Sequence, residues 1–499
     1  MDSGLDRRLS GVLLHPTSLP GPGIGSLGDA AFAWIDWLAQ AGQGVWQILP
    51  LGPMSIGGSP YDALSAFAGN PWLIDLERLV EEGWLAQGDL VDGAQSDTLD
   101  FAVVGPWKDA LLRDAYSRFR ASPDPEGRDA WGVYCEQNAS WLDDYSLFRA
   151  LREHFGDISW TDWEAGARDR DPEAMRRWRD ELGEAIDGHR WEQWIFQRQW
   201  RALRAHAAKC GVRILGDLPI YVAHDSADVW AHRHLFRLAP DGRPEVIAGV
   251  PPDYFSATGQ RWGNPVYDWE AVERNGFAWW TERLRRTLHL VDVVRIDHFR
   301  GFAAGWEIPA DEATAVAGQW RPGPGKRLFA AVEQRLGRLP LVAEDLGLIT
   351  PEVEALRDEL GLSGMRVLQF AFDGEAANPH LPDNHPPNAV AYTGTHDNDT
   401  LIGWYRSLTS AQRKRVEQEM GGSADESPWP LIRLLSRSTA RWVIVPLQDL
   451  LALGSEARMN TPGVAAGNWG WRLHGGLPAP ELAQQLREVT VASGRANML

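Results

Sequence analysis

Apolar and polar positions divide this chain into short apolar runs separated by amphipathic stretches. Eight runs read as strands: Gly11–His15, Gly44–Leu51, Val212–Val222, Val291–Phe299, Leu339–Leu346, Met365–Phe372, Ala389–His396 and Trp442–Leu450. Their nearly continuous apolar character suits strands buried on both faces, as in a parallel sheet. Helical periodicity occupies Asp29–Ala41, Trp269–Leu290, Lys326–Leu336, Pro351–Leu360 and Leu431–Thr439. Strands alternating with helices predict an α/β fold, and eight of them predict a (β/α)8 TIM barrel spanning 1–499.

The spacing is uneven. Roughly 160 residues separate the second and third runs, far more than a connection needs. Helical patterning in Gly105–Arg118, Ser140–His154, Pro172–Ile186 and Arg190–Lys209 predicts a mostly helical insertion over 70–205. Residues 223–270, rich in Gly, Pro and aromatics, predict a loop-rich insertion over the barrel mouth, and Trp320–Gly325 reads as a loop.

Three runs end in acids: Val293-Val294-Arg295-Ile296-Asp297-His298-Phe299, Leu341-Val342-Ala343-Glu344-Asp345-Leu346-Gly347 and Tyr392-Thr393-Gly394-Thr395-His396-Asp397-Asn398. A barrel carries its chemistry at strand C-termini, where these acids fall. Paired carboxylates there are what glycosidic-bond chemistry needs. Arg295 and Asp297, two apart, share a strand face. The guanidinium is expected to lower the acid's pKa, as a nucleophile requires; the same pair would serve as a structural ion bridge. Glu344 and Asp345 point oppositely, so one faces the cleft. A carboxyl there, among others, has a raised pKa, as a general acid requires; a helix cap is the other reading. His396 and Asp397 could exchange hydrogen bonds with sugar hydroxyls, while Asp399 suits a helix cap. Asp217, ending another run, fits either a sugar site or structural support. Tyr61 could stack on a sugar and Asp62 bind hydroxyls, or Ser59–Asp62 could be a plain turn.

A net charge of −19 disfavours nucleic acid and anionic membrane surfaces as partners. With only Cys135 and Cys210 there is no disulfide framework, and a cytoplasmic location is expected. No apolar run reaches membrane-spanning length, about 18 residues. Tryptophan is over-represented, 26 against 9 tyrosines; most should be core, although indole also offers a platform for sugar C–H faces. Gly23-Ile24-Gly25-Ser26-Leu27-Gly28 matches G-x-G-x-x-G, but Pro16, Pro20 and Pro22 intervene after the strand, so no dinucleotide is expected. His232 and His234 have no ligand spacing, and neither a metal nor another cofactor is expected.

The three acid motifs, with Val293–Gly301 complete, resemble those of the 4-α-glucanotransferases of glycoside hydrolase family 77. The likeness extends through His15–Gly21, Ser59–Tyr61, Gly216–Val222, Gly249–Ser256, Gln260–Pro265, Arg458–Gly463 and Asn468–Arg472. It implies a catalytic barrel without a C-terminal β-domain, acting on α-1,4-glucans as donors and on glucose or maltodextrins as acceptors. By motif, Asp297 resembles the nucleophile, Glu344 the acid/base and Asp397 the third carboxylate. Substrate contacts are expected from Tyr61, Asp62, Asp217, Asp253, Trp262, Arg295, His298, His396 and Asn468. One feature separates the chain from the α-amylase group, which follows its first strand acid with Asn-His; here Asp217 is followed by Leu-Pro-Ile-Tyr-Val. The rival readings are an α-glucan hydrolase and a catalytically silent maltodextrin-binding protein.

Overall fold

The computed structural model describes residues 7–55, 57–90, 98–122, 124–252, 256–423 and 427–497. These contain strands β1 (Leu9–Leu13), β2 (Val45–Gln47), β3 (Arg213–Pro219), β4 (Val246–Val250), β5 (Gln260–Pro265) and β6 (Val293–Asp297). They continue with β7 (Ala304–Pro309), β8 (Gln319–Pro322), β9 (Leu341–Ala343), β10 (Gly364–Val367), β11 (Ala389–Tyr392) and β12 (Trp442–Pro446). Eight strands form one parallel sheet in the order β10-β11-β12-β1-β2-β3-β6-β9. Its ends meet through a bridge between Val342 and Ser363, where the Ala343 N–H donates to the Ser363 carbonyl at 2.8 Å. The sheet is therefore closed, a (β/α)8 barrel. Each apolar run overlaps one of its strands: β1 begins two residues ahead of its run and β10 one residue ahead, while the other six strands lie within theirs. Gly44–Leu51 holds only Val45–Gln47, because the residues beyond leave the ladder at the barrel mouth.

Leu13, Val45, Leu215, Val293, Val342, Met365, Val390 and Ile444 fill the barrel interior. A second apolar layer, including Trp34, Leu38, Leu284, Leu328 and Leu435, binds the surrounding helices to the strands. The expected Trp269–Leu290 helix is two helices, Trp269–Arg274 and Ala278–Leu290. Gly276 and Phe277 between them have φ of 60° and 55°. That left-handed turn stops the first helix, and Phe277 is buried.

Long helices Phe101–Ala121, Pro125–His154 and Gly183–Lys209 lie between β2 and β3. Asp100 and Asp124 cap the first two by accepting backbone N–H groups. Trp84, Trp131, Trp191 and Trp194 pack around Tyr116 and Phe119, so this share of the tryptophan excess is core packing.

Two stretches depart from their loop-like reading. Residues 223–270 contribute β4 and β5, and Trp320–Gly325 begins inside β8; with β7 these form a four-stranded antiparallel sheet, β5-β4-β7-β8. Glycine hid these strands. A Cβ on Gly249 would lie 2.1 Å from the Gln260 carbonyl oxygen, so close strand approach excludes a side chain there. In the glycine run ahead of the first helix, a Cβ on Gly28 would lie 2.0 Å from Asp75 Oδ2. Close packing accounts for that residue without a nucleotide. Among the described residues, no helix is long and apolar enough to cross a membrane.

Candidate active site

Strand register brings the acids together. In the β3–β6 ladder Asp217 pairs with Arg295 and Pro219 with Asp297; in the β6–β9 ladder Ile296 pairs with Ala343. The Glu344 N–H donates to the Ile296 carbonyl (3.0 Å), and the Phe299 N–H donates to the Glu344 carbonyl (3.2 Å). Glu344 thus extends β9 beside Asp297, one strand spacing away, about 4.8 Å.

Arg295 crosses the barrel interior. It donates to Asp217 Oδ2 at 2.5 Å and reaches Asp297 Oδ1 at 2.9 Å, while the Tyr61 hydroxyl donates to Asp217 Oδ2 at 2.7 Å. One planar guanidinium therefore serves two carboxylates. Glu344 accepts from the His298 N–H (2.8 Å) and the Leu346 N–H (2.9 Å). His298 has φ of 53°, a left-handed turn directly after β6 from which its N–H reaches Glu344. Asp345 turns away, accepting from the Met365 N–H (2.6 Å) and pairing with Arg357 (2.5 Å). The alternation expected of consecutive residues thus leaves Glu344 beside Asp297.

Asp397 follows β11. Its Oδ1 accepts from Asn460 Nδ2 at 2.6 Å, and His396 Nε2 lies 3.4 Å from its Oδ2. The carboxylate is 42% exposed against 28% for Asp297, so it is the more open of the two. Tyr61 stacks on His396 (centroids 5.2 Å, 18°), and Trp469 leans on both rings.

Three carboxylates, those of Asp217, Asp297 and Glu344, draw on the charge of Arg295. Burial, with Asp217, Glu344 and Asp397, outweighs the guanidinium and pushes Asp297 up to about 8. Burial also raises Glu344, against Arg295 and its two backbone donors. Arg295 does lower the Asp297 pKa, as expected, but the net shift is upward: burial, helped by the neighbouring carboxylates, exceeds the guanidinium's effect. Burial lowers His396, and lowers His298 to about 3, so both rings are neutral.

A family sequence model described as 4-alpha-glucanotransferase, glycoside hydrolase 77, matches residues 14–478. The chain belongs to this family. It is 50% identical to a 4-alpha-glucanotransferase of Thermus thermophilus over 497 residues, covering 98% of this chain and 99% of that one. It is 43% identical to a chloroplastic/amyloplastic relative from Solanum tuberosum, covering 98% and 87%. Among solved structures, an amylomaltase from Streptococcus agalactiae in complex with acarbose superposes with a TM-score of 0.95 at 38% identity, covering 98% of this chain and all (100%) of that one. A more distant amylomaltase, from Corynebacterium glutamicum, shares the fold at a TM-score of 0.80 and 20% identity, covering 99% and 76%.

The other expected residues of this family member are placed variously. Trp262, on β5 and 37% exposed, stands edge-on to His298 with centroids 4.7 Å apart. Asp62 is exposed, and its carboxylate accepts from Ser55 (3.4 Å) instead of joining Tyr61's network. The Asn468 amide braces its own loop, accepting from the Thr461 N–H (2.9 Å) and donating to the Val464 carbonyl (2.7 Å). Asp253 lies outside the described residues. Thr400, not Asp399, caps the helix Leu401–Ser407. Asn460, Trp469 and Arg458, whose guanidinium donates to the Asp397 carbonyl at 2.6 Å, are not among the expected site residues. They stand within the matching segments Arg458–Gly463 and Asn468–Arg472, which were their only signal.

Proposed function

We propose that the chain is a 4-α-glucanotransferase that moves a segment of an α-1,4-glucan to the 4-hydroxyl of glucose or a maltodextrin. The observation that carries the reading is the placement of Glu344 beside Asp297 on neighbouring strands. A retaining double displacement needs its two carboxyl groups about 5–5.5 Å apart. Glu344 protonates the glycosidic oxygen while Asp297 attacks the anomeric carbon, giving a β-glucosyl ester and a departing glucan. Glu344, now ionised, takes the proton of the acceptor 4-hydroxyl. That oxygen displaces Asp297, and an α-1,4 bond is remade. Asp397, braced by Asn460, grips the sugar at the bond being broken. Tyr61, Asp217 and Arg295 hold Asp297 and its charge, and His396 and Trp262 border the bound chain.

Transfer requires that a sugar reach the ester before water does. The antiparallel sheet that carries Trp262 to His298 supports such exclusion, and residues 70–205 and 223–270 are read as insertions framing the cleft. Two unpaired cysteines fit a reducing cytoplasm.

Incubation with maltotriose and no added cofactor tests the proposal. Glucose with maltopentaose and longer chains, at constant reducing ends, is the expected outcome. Glucose and maltose with rising reducing ends would make the chain a hydrolase, and unchanged maltotriose would leave it a binding protein.

A further inference from the structure

We propose that Asp36, His206 and Cys210 form a binding site for a divalent cation of the zinc type, remote from the cleft acids in the fold. Among the described residues this is the one group of three or more such side chains whose donor atoms stand close enough to share an ion, all within 4.8 Å of one another. Asp36 lies on the helix Asp29–Gln40, His206 in the last turn of the helix Gly183–Lys209, and Cys210 at that helix's C-cap. The i, i+4 spacing puts His206 and Cys210 on one face.

The distances suit a small tetrahedral ion. Cys210 Sγ is 3.6 Å from Asp36 Oδ1 and 3.7 Å from His206 Nε2. With metal–sulfur bonds of about 2.3 Å and metal–nitrogen or –oxygen bonds of about 2.0–2.1 Å, a tetrahedron places sulfur about 3.6 Å from each of its neighbours. The third edge, His206 Nε2 to Asp36 Oδ1, is a hydrogen bond of 2.7 Å and would open by about 0.6 Å to the tetrahedral separation. A thiolate, an imidazole and a carboxylate favour zinc over magnesium or calcium, which take oxygen ligands. The helix C-terminus adds a negative dipole end beside the site. Partial exposure of Asp36 (50%) and His206 (29%) gives the ion access and leaves room for a water as fourth ligand. On coordination the Cys210 thiol releases its proton to buffer.

Such an ion would fasten the helix after β1 to the helix that feeds β3. It therefore bears on stability and leaves the chemistry alone. The test uses the full chain, stripped of metal and held reduced by a phosphine, with cobalt(II) as probe. One cobalt per chain is expected, with a thiolate-to-cobalt charge-transfer band and the strong visible absorption of a tetrahedral ion, both abolished by zinc. Cys210→Ser should remove the charge-transfer band, and His206→Ala should weaken binding by about tenfold or more. Cys135→Ser should change neither, and unchanged circular dichroism would show all three folded. Absence of the band in the parent protein, or its survival in Cys210→Ser, would overturn the proposal.

Discussion

Asn460 donates its side-chain amide to Asp397 Oδ1 at 2.6 Å, across 63 residues of chain. The carboxylate is thereby oriented from a loop that contributes no strand to the barrel. Asn460→Ala should remove a charge-assisted bond of about 1.5–3 kcal/mol, a roughly tenfold to hundredfold fall in kcat/KM with little change in Tm. Asn460→Asp should be worse, because it sets one carboxylate against another. Steady-state kinetics on maltotriose beside thermal melts separates this from simple destabilisation.

Burial pushes Asp297 up to about 8, above the value of about 3.9 in an unfolded chain. The folded state thus binds this proton more tightly than the unfolded state. Its contribution to stability is whole below about pH 4 and is lost as pH rises through about 8. Asp297→Asn abolishes that loss, and Arg295 keeps Asp217 as partner. The variant should be inactive yet melt higher than the parent, by more at about pH 9 than at about pH 5. Equal melting curves across that range would remove the assignment.

Arg295 is buried between two acids. Arg295→Met leaves both uncompensated and should cost about 3–5 kcal/mol in denaturant unfolding. Arg295→Lys should keep part of that stability but little turnover, because a single ammonium cannot reproduce a planar fork spanning two carboxylates.

Trp262 shields one edge of His298. Trp262→Ala should admit water to the ester and raise the hydrolytic share of product. Reducing-end growth against glucose release on maltotriose reads that ratio directly, and a ratio equal to the parent's would free Trp262 of this role.

The barrel strands were legible because burial on both faces leaves long apolar runs, and a carboxylate ending such a run is conspicuous. The antiparallel sheet was not, since Gly249, Gly263 and Gly305 interrupt the alternation that identifies a strand. The Asn460 contact could not be read locally, because no periodicity links it to Asp397. The same holds for Asp36, which reaches His206 from 170 residues away. The direction of the Asp297 shift is not legible from the Arg295–Asp297 spacing, because burial, the largest cause, and the neighbouring carboxylates come from the fold.

The barrel is joined by continuous ladders at every seam except that between β9 and β10, where one backbone bridge and the Asp345 carboxylate on the Met365 N–H hold it closed. The clasp of the cylinder and the proton donor are therefore consecutive residues. A slip of one position at this point would unfasten the wall and misaim Glu344 in the same stroke. Architecture and reactivity cannot drift apart at this seam, where closing the wall and aiming Glu344 fall to adjacent residues.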